Sequence, residues 1–394
     1  MNVYKNIKKS YFIIFVYYFI PAYVVERLFY LERGLDAQQA VFIQMVYALT
    51  IVVMELPSGI LADKIGRKKL LCIGAFLSLM ETVLLCSAFS FKQFALAVIC
   101  AGISQACISG AWNALLYDSL EENHLSSKFE SVLGYMQAAT CGSQVLAGLL
   151  GSFLAERLSL TFTYEFSVGS HIVAFLFFLT LIEPITKHKE ERPSFRMIIQ
   201  TALSFYKNNK VVFAYILQGA LLAGAITYID EFWQIYFYEI SIPVGLFGIA
   251  FTLFMAVRIP SGVVAAWLSR RFSSQSIVLG ASLTIIGGVV QAGLTRNIYG
   301  AIGMIVAFFA SELITPVITG YLQHLADDKA RATIDSVNSL LNQLSTIGVG
   351  VLFGYVIKRS SVFIGFLLIA AVVLVGTSIS YITALRREED ERTR

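Results

Sequence analysis

Charge is what this sequence has least of. Asp, Glu, Lys and Arg make up only 14% of its 394 residues, while 57% are hydrophobic and the mean hydropathy is +0.71. A soluble globule of this length has no interior large enough for so much apolar side chain, which excludes a water-soluble class. The five cysteines, Cys72, Cys86, Cys100, Cys107 and Cys141, show neither a metal-ligand spacing nor a disulfide pattern and read as small core residues. Phosphate-binding loops, zinc motifs and nucleophile elbows are lacking, so an enzyme reading has nothing to stand on and no metal or other cofactor is expected. There is also no Asn-x-Ser/Thr sequon, which with the short loops points to a bacterial inner or plasma membrane.

What the chain has instead is a succession of apolar stretches, each long enough to cross a hydrocarbon core of roughly 30 Å as a helix. Twelve are expected, over 9–31, 37–60, 70–90, 93–117, 130–155, 161–183, 211–238, 244–268, 275–295, 298–324, 333–357 and 361–385. These runs far exceed the roughly ten alternating residues of a barrel strand. The start, MNVYKNIKKSYFIIFVYYFI, has the basic opening of a signal peptide but no small-residue cleavage site, so it reads as a retained first helix. The longest loop divides the helices six and six. The expected organisation is an all-α membrane protein of two pseudo-symmetric bundles, 1–183 and 211–394, joined by a cytoplasmic loop, 184–210. With the N-terminus placed in the cytoplasm, 22 of the 30 lysines and arginines fall on the inner side and 6 on the outer, so both termini are expected to be cytoplasmic. The net charge of +4 is then topogenic, with no nucleic-acid partner implied.

An internal repeat supports the two-bundle division. LPSGILADKIGRK (56–68) aligns with IPSGVVAAWLSRR (259–271), and FESV (129–132) aligns with IDSV (334–337) at nearly the same offset. The first of these stretches reads as a Pro-Ser-Gly turn and a charge cluster between two spans. Through Gly59, Leu61, Asp63, Gly66, Arg67 and Lys68 it resembles the loop signature that follows the second helix in the major facilitator superfamily. The second copy keeps Gly262, Arg270 and Arg271 but has Ala266 in place of the Asp. The resemblance implies a twelve-helix secondary transporter working by alternating access. It further implies that Asp63 caps a helix of the opposite half near Thr333 and Asp335, and that Arg67 engages Asp118 at the end of the fourth helix. Such a latch would close the cytoplasmic side.

A charged side chain near mid-membrane costs roughly 2.5–3.5 kcal/mol, so each one needs a reason. Glu312 lies near the middle of the tenth span with Pro316 four residues on, and is the leading candidate for proton coupling or cation recognition. The alternative for it is a buried structural hydrogen bond. Glu26 and Arg27 in the first span and Asp230 and Glu231 in the seventh are near-counterparts in the repeat. Arg27 is expected either to pair with Asp230 or Glu231 as an outer gate or to be solvated at the interface. Glu55 and Arg258 are also repeat counterparts, placed near the inner ends of the second and eighth spans, and are expected to pair across the halves or locally. Glu81 is expected on the periphery, with His171 as a partner in its own half.

Aromatic residues on the spans that line the central cavity in the resembled family, among them Trp112, Trp233 and Tyr236, suit amphipathic or cationic organic molecules or serve as interfacial anchors. In size and helix number the chain is most similar to the drug:proton antiporter branch. It departs from that branch at Val98, where the fourth-helix motif has Arg, and in the proline-free GSQVLAGLLGSF of the fifth span. The expected function is therefore proton-coupled efflux of small amphipathic or cationic compounds by a monomer, with the proton gradient as energy source and the bilayer and protons as partners. A proton-coupled importer of a metabolite and a lipid-handling or sensor member of the same fold are the alternatives.

Overall fold

The computed structural model describes residues 5–184, 210–325 and 328–392, all of the regular structure in them helical. Twelve candidate membrane spans occur among these residues, each close to an apolar stretch of the sequence. The expected connecting loop, 184–210, lies outside the described residues except for its two ends. The chain forms two compact units, one of Met1–Glu191 with Ser241–Thr252 and the other of Arg192–Ile240 with Leu253–Arg394.

In the first unit the first span is broken. Helix α1 (Lys5–Tyr17) gives way to a 3-10 turn, Pro21–Val25, and then to α2 (Glu26–Glu32). Pro21 has no N–H to offer the carbonyl four residues earlier, so the α-helical ladder loses a hydrogen bond at the break. Gly151 of α6 (Phe129–Arg157) fixes the break from outside, because a Cβ there would overlap the Pro21 carbonyl. The second span behaves differently. Helix α3 starts at a capping box, in which Asp36 accepts from the Gln39 N–H at 2.7 Å and Gln39 accepts from the Asp36 N–H at 2.9 Å. It then runs without interruption over Ala37–Ile65, with Pro57 inside it. The turn expected at Pro57-Ser58-Gly59 is thus helical, and the chain turns at Gly66, whose φ of +97° is open to glycine and strained for other residues.

Helices α4 (Arg67–Cys86), α5 (Phe91–Glu121) and α7 (Leu160–Leu179) complete the unit. Their core holds Leu70, Leu71, Leu115, Leu116, Trp112 and Phe178. The five cysteines carry free thiols.

The second unit contains α8 (Lys210–Glu239), most of the eighth span, α11 (Ser274–Thr295), α12 (Ile298–Leu325), α13 (Asp328–Arg359) and α14 (Val362–Arg392). The eighth span is split into α9 (Phe247–Arg258) and α10 (Ser261–Ser269) around Ile259 and Pro260. The repeat therefore uses its two Pro-Ser-Gly segments differently: the helix passes through Pro57 and stops at Pro260. Helices α11 and α12 approach at Gly288 and Gly303, where a side chain on either would strike the other's carbonyl. Tyr228, Phe232, Phe353 and Phe366 pack between α8, α13 and α14, and the Tyr228 hydroxyl donates to the Thr346 carbonyl at 2.9 Å.

Candidate functional site

Three helices of the second unit bring opposite charges together in membrane-spanning segments. Asp230 comes from α8, Arg258 from the last residue of α9 and Glu312 from α12. Arg258 Nη2 donates to Asp230 Oδ1 at 2.5 Å, and its Nε lies 4.0 Å from Glu312 Oε1, an ion pair without a hydrogen bond. The guanidinium carbon rests 4.5 Å from the centroid of Phe308. Phe308 meets Phe254 edge to face, and Phe254 in turn meets the buried Trp233, so an aromatic wall backs the cation.

Local chemistry explains the positions. The helix ends at Arg258 because Pro260 follows, and Ser261 Oγ donates to the Arg258 carbonyl at 2.7 Å. In α12, Pro316 stands four residues after Glu312 and has no N–H, so the Glu312 carbonyl loses its helical donor. The site thus has one guanidinium bonded firmly to one carboxylate and loosely to a second. Glu312 is the more accessible acid, its side chain 42% exposed against 34% for Asp230. Glu231, next to Asp230, is half-buried. A guanidinium shared in this way can give up either acid to a proton or to a competing cation.

This geometry corrects the sequence reading at several points. Arg258 was placed near the inner end of its span, but it lies near the middle of Val244–Ser269. Asp230 takes its guanidinium from Arg258 of its own unit. Glu55 is exposed within the first unit, while Arg258 is engaged locally, so the local alternative describes that arginine. Arg27 is 2% exposed, which removes the reading of it as a solvated interfacial charge. It donates to Gln44 of α3 at 2.9 Å, lies 3.8 Å from Glu26 and stacks over Tyr30, whose hydroxyl donates to Glu26 at 2.5 Å. His171 is held by Ser78 and Thr82, not by Glu81. Trp112 packs on Phe178 in the core of the first unit, and Tyr236 packs against Phe363 and Phe366 and donates to the Asn297 carbonyl at 2.9 Å.

The loop signature forms a second polar site, at one end of the first unit. Gly59 is buried in α3 and Asp63 is exposed. Arg67 pairs with Asp118 of α5 and donates to the Ala114 carbonyl at 2.7 Å. The side chains of Thr333 and Asp335, the expected counterparts of Asp63, lie outside the described residues. One participant was missed in the sequence. Glu183, just beyond α7, accepts from the Arg67 N–H at 2.7 Å and the Lys68 N–H at 2.8 Å, and so caps α4 directly after Gly66. Asn6 secures the same segment through both the N–H and the carbonyl of Ile182. The available signal was an acid at the end of an apolar span, immediately before Pro184.

A sequence model described as the Major Facilitator Superfamily matches residues 10–348. The chain is 23% identical over 367 residues to the quinolone resistance protein NorA of Staphylococcus aureus strain COL, covering 89% of this chain and 90% of that one. It is 20% identical over 371 residues to the uncharacterized MFS-type transporter YxaM of Bacillus subtilis strain 168, covering 92% of each. Among solved structures it resembles the nucleoside transporter NupG, with a TM-score of 0.80, 13% identity, and 97% and 99% of the two chains covered. It also resembles a bacterial homologue of the human lysosomal transporter Spinster, with a TM-score of 0.75, 14% identity, and 97% and 96% covered. At these identities the structural likeness speaks for the fold. With the superfamily model spanning most of the sequence, and twelve candidate spans among the described residues, the chain belongs to the major facilitator superfamily, a family of membrane transporters.

Proposed function

We propose that the protein exports small amphipathic cations in exchange for protons, with Arg258, Asp230 and Glu312 as the exchange site. The observation that carries the reading is the single guanidinium serving two carboxylates, one at 2.5 Å and one at 4.0 Å. A cationic solute competes with Arg258 for Glu312 and uses the same kind of aromatic surface that backs the arginine. A proton competes for the same oxygen, and this mutual exclusion is what couples the two fluxes. The likeness to a quinolone resistance protein supports export of drug-like compounds. In this reading the protein works as a monomer in a bacterial cell membrane with both termini in the cytoplasm. The proton gradient is its energy source.

The same residues would serve an importer, so flux direction decides. In liposomes with a trapped pH dye and an imposed pH gradient, cationic solutes should move against the proton flow, and neutral and anionic solutes should give little response. Glu312→Gln should abolish the coupled signal in protein that remains folded. Movement of solute and proton in the same direction would replace this reading with symport. Absence of coupled flux with every solute would favour a lipid-handling or sensor role.

A further inference from the structure

The interior of the first unit holds a carboxyl group that the exchange site above does not use. Glu81, on α4, is 6% exposed. The histidine nearest in the fold is already satisfied: His171 Nε2 lies 3.1 Å from Ser78 Oγ and its Nδ1 lies 2.7 Å from Thr82 Oγ1. On the same side of α4, the Tyr17 hydroxyl is 3.3 Å from Ser104 Oγ, which donates to the Gly74 carbonyl at 2.7 Å. Among the described residues, Glu81 has neither a hydrogen-bond partner nor a counter-charge. Among the described residues, the charged group close enough to act on it is Glu26, of the same sign. Glu26 is itself engaged by Tyr30 and Arg27. Tyr17 of α1, Tyr23 of the 3-10 turn, Tyr30 of α2 and Cys100 of α5 all stand within electrostatic reach of Glu81. Tyr47 of α3 lies within reach of Tyr23.

A carboxylate left without a partner in a membrane-spanning interior has to carry a proton or hold a cation. The surrounding donors favour the proton. Hard metal ions take six or more oxygen ligands or several carboxylates, whereas this surrounding offers phenols and hydroxyls already bonded to one another. No group of three metal-binding side chains occurs among the described residues.

We propose that Glu81 is a second proton site of this transporter, built into the first unit apart from the Arg258 cluster. A proton from water forms an O–H bond on the Glu81 carboxylate, and that bond breaks to return the proton to water when the unit changes conformation. The hydroxyls of Tyr17 and Tyr23 supply the neighbouring donors and acceptors. The proposal goes beyond the exchange reaction and stands whether or not Glu312 is the coupling group.

The test is infrared difference spectroscopy of the protein in lipid membranes, titrated with pH. The carbonyl stretch of a protonated carboxyl group is read directly, without any transport assay. Wild-type protein should show a titrating buried-acid band that Glu81→Gln removes and Glu312→Gln leaves in place. A band unchanged in folded Glu81→Gln overturns the proposal. If Glu81→Gln does not fold, Glu81→Asp keeps the acid and should move the band, and a band that stays put overturns it equally. Loss of coupling in Glu312→Gln with the Glu81 band intact supports both sites. An intact Glu81 band with normal coupling in Glu312→Gln removes only the exchange reading.

Discussion

Replacing Arg258 with leucine should abolish coupled transport and lower the melting temperature. The substitution leaves Asp230 without its 2.5 Å hydrogen bond and Glu312 without its 4.0 Å ion pair. Removing the guanidinium leaves a carboxylate charge uncompensated in a membrane-spanning segment, where a charge costs roughly 2.5–3.5 kcal/mol. A linked equilibrium would shift by about a hundredfold or more. Arg258→Lys keeps the charge but loses the two-pronged fork, so a fraction of the activity should survive. The double variant Arg258→Leu with Asp230→Leu separates stability from function. Replacing both charges with apolar groups should recover much of the melting temperature while transport stays absent. Coupled flux at the wild-type rate in Arg258→Leu would show that the cluster is structural.

The second large effect is expected at Glu183. Its carboxylate holds the first two N–H groups of α4, where the helix starts abruptly after Gly66 and α4 has no other side-chain cap. Hydrogen bonds to charged groups contribute about 1.5–3 kcal/mol each, and a carboxylate is favourable at a helix N-terminus. Glu183→Ala should therefore lower the melting temperature by several degrees and slow turnover, because Arg67 is the residue that both receives this cap and pairs with Asp118. Substrate preference should not change, since the Arg258 cluster is untouched. Kinetics in liposomes with two chemically different cations check this. An altered preference ratio with an unchanged rate would count against a mechanical role.

The fold was legible because the bilayer imposes a length on its helices: apolar stretches of about twenty residues have few other uses. The breaks inside the spans were harder to read. Pro21, Pro57, Pro260 and Pro316 look alike in sequence. Yet the helix stops at the first and third and continues through the others. What differs is the packing around each, such as Gly151 receiving the Pro21 carbonyl, and that involves residues far away in the chain. The charged residues were picked out by the penalty they carry in a membrane, which needs no structure. Their partners were another matter. Arg67 with Asp118 came from resemblance to a family, whereas Arg258 with Asp230 and Glu312 depends on how three helices meet, which repeat symmetry does not show. Glu183 went unnoticed because an acid after a span is usually a solvated loop residue. Only the turn at Gly66 places two bare N–H groups beside it.

The central claim is that a cation and a proton exclude each other at the Arg258 cluster. It is tested most directly in purified protein in weakly buffered detergent solution, by adding tetraphenylphosphonium and recording proton release. Wild-type protein should bind the cation and release protons, and the double variant Asp230→Asn with Glu312→Gln should release none. Unchanged release in the folded double variant, or binding by the wild type with no release at all, would contradict the account.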